Sequence, residues 1–111
     1  MTSDNLKEVA EQIARRFEPE KIILFGSHAY GVPDKDSDVD LLVVMESDLR
    51  GVEQAVEIRK AVDFPFPTDL MVRTPRQVAD RLKAGDQFLR EVLSRGKVLY
   101  EADNDRMDRK G

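Results

Sequence analysis

The chain predicts an α/β (α+β) domain, a small mixed sheet with helices packed on it. Three observations carry that expectation. Short runs rich in Ile, Leu and Val recur at strand length: Lys21–Phe25, Asp38–Met45 and Thr68–Arg73. Stretches with apolar residues at helical spacing lie before, between and after them. The length of 111 residues suits one domain that buries a core without covalent staples.

In the first stretch Leu6, Val9, Ala10, Ile13 and Phe17 mark one side of an amphipathic helix. Thr2 to Asn5 offers capping side chains, and Pro19 stops the run. Lys21–Phe25 is a buried strand ending at Gly26-Ser27. Ser27 to Tyr30 is expected to form one or two helical turns, followed by a loop through Gly31, Val32, Pro33, Asp34 and Lys35. Asp36 and Ser37 lead into the second strand, which is apolar on both faces after Asp40, as a central strand is. Ser47 and Asp48 can cap a helix over about Leu49 to Val62, with Val52, Ala55, Val56, Arg59 and Val62 on its marked side. Phe64-Pro65-Phe66-Pro67 forces an extended connection into the third strand.

Thr74-Pro75-Arg76-Gln77 is a helix start: a cap residue, proline at the first helical position and glutamine three residues after the cap. That helix runs to about Lys83 and closes at Gly85. Asp86 begins another, carrying Phe88, Leu89, Val92 and Leu93 and ending at Gly96. Lys97–Tyr100 is a short last strand. The expected domain spans 1–100, and 101–111 reads as a charged, disordered tail. The order is α-β-(short α)-β-α-β-α-α-β, and the strand order in the sheet is left open.

Composition removes several function classes. No cysteine is present, so there is no disulfide framework and no Cys-based metal or redox site. The start MTSDNLKEVA lacks the basic and apolar segments of a signal peptide. No apolar run is long enough to span a membrane, so a soluble cytoplasmic protein is expected. A net charge of −4 argues against direct nucleic-acid binding, which needs a basic face. Nucleotides remain possible, because Mg²⁺ and backbone N–H groups can hold them.

The chemistry concentrates between Phe25 and Val44. A strand that ends at Gly26-Ser27 and enters a helical turn points backbone N–H groups outward, which favours an anion. Gly26 would let a phosphate approach the backbone, and Ser27 adds a hydroxyl donor. Asp38 and Asp40 are two apart on a strand, so both point to one side, about 7 Å apart along it. Two like charges there are costly unless a cation neutralises them. Asp69, at the start of a separate strand, would complete a set of three carboxylates. Hard oxygen ligands of this kind suit Mg²⁺ or Mn²⁺ rather than zinc. Each piece also has a plain structural reading: an ordinary turn, a loop–strand junction and a strand-end residue bonded to backbone. His28, the only histidine, reads either as a turn residue or as a triphosphate contact.

Taken together, the residues GSHAYGVPDKDSDVDLLVV followed by TDLMV resemble the nucleotidyltransferase superfamily of DNA polymerase beta. The Ser-Asp-x-Asp-Leu form and the small size resemble its minimal nucleotidyltransferase (MNT) branch. The resemblance covers about Lys21 to Val72, and FLREVLSRGKVLYE is similar to the end of such domains. It implies that Gly26 and Ser27 bind the β and γ phosphates of a nucleoside triphosphate. It implies that Asp38, Asp40 and Asp69 are the catalytic metal ligands for two Mg²⁺ ions, with Mn²⁺ as a substitute. Asp69 would also help deprotonate the attacking hydroxyl. The implied reaction transfers AMP from ATP and releases pyrophosphate.

Many relatives carry a basic residue where this chain has Tyr30, so a phosphate contact is either missing there or supplied by Lys35 or Arg73. Tyr30 itself reads as a packing residue or as one that stacks on base or ribose. No room is expected for a separate acceptor domain, so the acceptor is expected on another molecule. Minimal members are similar to antitoxins that pair with HEPN-domain RNase toxins and add AMP to a toxin tyrosine. The leading expectation is therefore an antitoxin acting as a protein adenylyltransferase. A small-molecule nucleotidyltransferase of the aminoglycoside type, its pocket completed by dimerisation, is a second possibility. A non-catalytic antitoxin that blocks its partner and a subunit supplying only the metal site are two others.

Overall fold

Apolar residues alternate along each strand between two faces, and helices cover both. The computed structural model describes residues 3–34 and 36–102. In chain order the elements are α1 (Ser3–Phe17), β1 (Lys21–Phe25), α2 (Ser27–Tyr30), β2 (Val39–Val44) and α3 (Gly51–Ala61). They continue with β3 (Thr68–Arg73), α4 (Pro75–Lys83), α5 (Gln87–Arg95) and β4 (Lys97–Glu101). The α+β expectation and the element order hold. The strand order is β3-β2-β1-β4, with β1 antiparallel to both β2 and β4 and β2 parallel to β3.

One face of the sheet packs Ile22, Leu24, Leu41, Val43, Leu70 and Val72 against Val9 and Ile13 of α1 and Ile58 of α3. The other packs Ile23, Phe25, Leu42 and Val44 against Leu89 and Val92 of α5, with Val78 and Leu82 of α4 alongside. β1 and β2 are buried on both faces because they are the central strands, which is why their sequences are nearly all apolar. No helix among the described residues is long and apolar enough to cross a membrane.

α4 begins as its sequence predicts. The Thr74 hydroxyl accepts from Gln77 N, the Gln77 side chain accepts from Thr74 N, and Pro75 holds the first helical position. Asp86 caps α5 through Leu89 N at 2.9 Å. α3 departs from expectation twice. It starts at Gly51 rather than Leu49, and Ser47 does not cap it; the Ser47 hydroxyl instead donates to the Gln54 side chain at 2.6 Å and accepts from Leu49 N. Its buried side is Ala55, Ile58 and Val62, while Val52 and Val56 are 66% and 49% exposed. Both stripes are compatible with helical spacing, and the sheet surface above Ile58 decides between them. β4 takes in Glu101, one residue past the expected end, and Ala102 N donates to Glu20 O. The remainder of the expected tail, 103–111, lies outside the described residues.

Candidate active site

Strand register assembles the site. Phe25 at the end of β1 lies opposite Asp40 on β2, and Asp40 lies beside Asp69 on β3. Three neighbouring strands thus present Phe25, Asp40 and Asp69 in one row at the same end of the sheet. Alternation puts Asp40 on the face of Leu42 and Val44, the face that α5 covers. Asp38 stands two residues ahead, just before β2 begins. Asp40 is half-buried, whereas Asp38 and Asp69 are exposed. Burial holds the Asp40 carboxyl above its ordinary range, and the charges of Asp69 and then Asp38 push it further; His28 acts in the opposite sense. The three acids therefore share one electrostatic environment.

Local hydrogen bonds hold these residues in place. Val39 N donates to Pro67 O at 3.0 Å, which extends the β2–β3 pairing back to the start of β3. Arg59 of α3 donates to Thr68 O at 2.6 Å, next to Asp69. Ahead of Asp38, the Asp34 carboxylate accepts from Asp36 N at 2.9 Å and from the Ser37 hydroxyl at 3.2 Å. His28 reaches the same loop, with Nε2 3.1 Å from Ser37 O. The histidine therefore serves as a brace between α2 and the residue preceding Asp38.

Gly26 has φ 75°, a left-handed conformation that favours glycine. A Cβ built there would collide with Asp40 Oδ2 and lie 3.1 Å from its Cγ. The space expected for an approaching phosphate is filled, on this side, by the carboxylate itself. Ser27 follows as the first residue of α2, directly after the glycine that meets Asp40.

Of the two cations expected to replace a basic residue at position 30, Arg73 stands away from the site. It lies four residues along β3 from Asp69, about 13 Å at strand rise, and its Nη1 donates to Val72 O at 2.8 Å. Lys35 lies outside the described residues. Two other residues meet the site's margin. Phe88 of α5 packs edge-on against Phe25, ring centroids 5.5 Å apart. Arg95 lies over the Tyr30 ring, 4.6 Å from its centroid. In the sequence Phe88 falls among the apolar residues of the last helix, and Arg95 carries no signal of its own. No spacing rule links positions 30 and 95.

The donor chemistry fits a hard divalent cation, because three carboxylates with one raised proton affinity would all be relieved by it. Among the described residues no three acidic or imidazole groups are drawn tightly enough to enclose an ion by themselves. Mg²⁺ usually takes one or two carboxylates and completes its shell with substrate phosphates and water. Asp38, Asp40 and Asp69 are the residues available to hold it.

The chain is similar to known proteins in sequence and in fold. A family model described as "Nucleotidyltransferase domain" matches residues 6–99. A Methanocaldococcus jannaschii protein named "Putative protein adenylyltransferase MJ0604" is 30% identical over 80 residues, covering 72% of this chain and 77% of that one. In fold, the chain is similar to the crystal structure of a "putative nucleotidyltransferase" from Sulfolobus solfataricus. The TM-score is 0.62 at 21% identity, over 88% of this chain and 78% of that one.

Proposed function

The chain belongs to the nucleotidyltransferase domain family, and from that membership we propose that it transfers AMP from ATP to a hydroxyl on a partner protein. The observation that carries the reading is the row Asp40–Asp69 on paired strands, with Asp38 beside it and Gly26 against Asp40. A protein acceptor is favoured by the relative named as a protein adenylyltransferase. The acceptor we propose is a tyrosine of a HEPN-type RNase toxin, which makes this chain its antitoxin.

Each residue has a task in this reaction. The half-buried Asp40 and the exposed Asp38 and Asp69 would hold the cations. Bound Mg²⁺ would neutralise these carboxylates and polarise the phosphoryl oxygens of the nucleotide. The Ser27 hydroxyl and the α2 backbone contact the β and γ phosphates, fixing the α phosphorus near Asp69. The acceptor oxygen forms a bond to that phosphorus as the bond to the β-phosphate oxygen breaks. Pyrophosphate leaves with the electron pair, and the hydroxyl proton passes to the Asp69 carboxylate. β3 is an edge strand and Asp69 is exposed, so an acceptor on another protein can reach it.

The test uses the purified chain, its toxin partner, ATP and Mg²⁺, read by intact mass. The partner should become heavier by whole AMP units, and Asp40→Asn should slow the transfer about a thousandfold. Label should follow α-labelled and not γ-labelled ATP. A partner of unchanged mass, with a chain that still binds ATP, would sink the protein-acceptor reading.

A further inference from the structure

We propose that Arg95 is the cation that grips the terminal phosphates of the nucleotide, delivered to α2 from α5 and held there by Tyr30. The inference rests on the nucleotidyltransferase reading and adds a residue to it. Tyr30 is the last residue of α2, three positions after Ser27 and so on the same side of that helical turn. The Arg95 guanidinium lies 4.6 Å from the Tyr30 ring centroid, and its Nη2 donates to Tyr30 O at 3.5 Å. Stacking on an aromatic face together with a backbone anchor presets the orientation of a side chain that is otherwise flexible.

The rest of α5 supports the placement. Arg95 is seven residues, two turns, after Phe88, which packs on Phe25 beside Asp40. Phe88 and Arg95 therefore lie on one side of α5, facing the end of β1 and the α2 turn. Nη1 pairs with Glu91 at 3.1 Å, and the Arg95 side chain is 54% exposed. Two of the five guanidinium donors are thus engaged among the described residues, one of them at the long limit of a hydrogen bond. A phosphate offers bidentate pairing that an exposed pair with Glu91 does not match. His28 braces Ser37, and Arg73 is at the far end of β3.

Calorimetric titration of the full chain with Mg²⁺-ATP, inorganic tripolyphosphate and AMP separates the outcomes. Arg95→Ala should weaken ATP and tripolyphosphate about tenfold and leave AMP unchanged. Arg95→Lys should fall between, because the charge stays and the fork is lost. Tyr30→Arg on the Arg95→Ala background should recover ATP affinity by restoring a guanidinium at the turn. Melting temperature is recorded for each variant, since a merely structural Arg95 would shift it without separating ATP from AMP. Unchanged ATP affinity in Arg95→Ala, or an equal fall for ATP and AMP, overturns the assignment and leaves the nucleotidyltransferase reading standing. A wild-type chain that binds neither ATP nor tripolyphosphate overturns both.

Discussion

A methyl group on Gly26 would have to displace the Asp40 carboxylate, in a backbone conformation that side chains rarely adopt. Gly85 isolates the second effect: its φ is 88°, and a Cβ there meets nothing within 4 Å. Gly85→Ala should cost about 1 kcal/mol of stability, the left-handed penalty alone. Gly26→Ala should cost more, about 2–3 kcal/mol, and should also abolish nucleotide binding. Urea unfolding and ATP titration of both variants check the pair. From the sequence Gly26 is expected to admit a phosphate; its contact with Asp40 depends on strand register, which no local pattern reveals. Asp40 carries a second residue-scale prediction. Its carboxyl is raised from 3.8, by burial first and then by Asp69 and Asp38. The folded chain therefore binds this proton more tightly than the unfolded chain. The stability from this group is complete below about pH 3.8 and is lost as the pH rises through the raised value. In chelator-treated protein, Asp40→Asn should melt above wild type at neutral pH, and the difference should vanish in acid.

At the scale of elements, the strands and α4 were legible because their signals are local. Lys21–Phe25 and Thr68–Arg73 are bounded by breaks in the chain, and Thr74, Pro75 and Gln77 mark one helix start together. α3 was not legible in the same way. The expected side held Val52, Ala55, Val56, Arg59 and Val62; of these only Ala55 and Val62 are buried, with Ile58, and the sheet beneath makes that selection. The choice has a measurable consequence. Ile58→Ala should destabilise by about 2–5 kcal/mol, as a cavity in the core does, whereas Val56→Ser should stay within about 0.5 kcal/mol. Chemical denaturation of the two variants distinguishes the faces. Arg73 shows the same limit: on β3 it shares a face with Asp69, yet distance along the strand removes it from the site.

The whole molecule adds what no segment contains. The three acids and the Gly-Ser turn were legible as types and spacings, and the order β3-β2-β1-β4 brings them to one end of the sheet. The parallel β2–β3 pair, joined through α3, puts Asp69 beside Asp40 across 29 residues of chain. Among the described residues no three acidic or imidazole groups enclose an ion by themselves, so a cation held there would draw part of its shell from the substrate. This coupling of nucleotide and metal is the central claim, and titration with a non-hydrolysable ATP analogue tests it most directly. Wild type should bind the analogue with Mg²⁺ present and lose about a hundredfold in affinity in chelator or when Asp40→Asn and Asp69→Asn are combined. Equal affinity in chelator, or in the double variant, would contradict it.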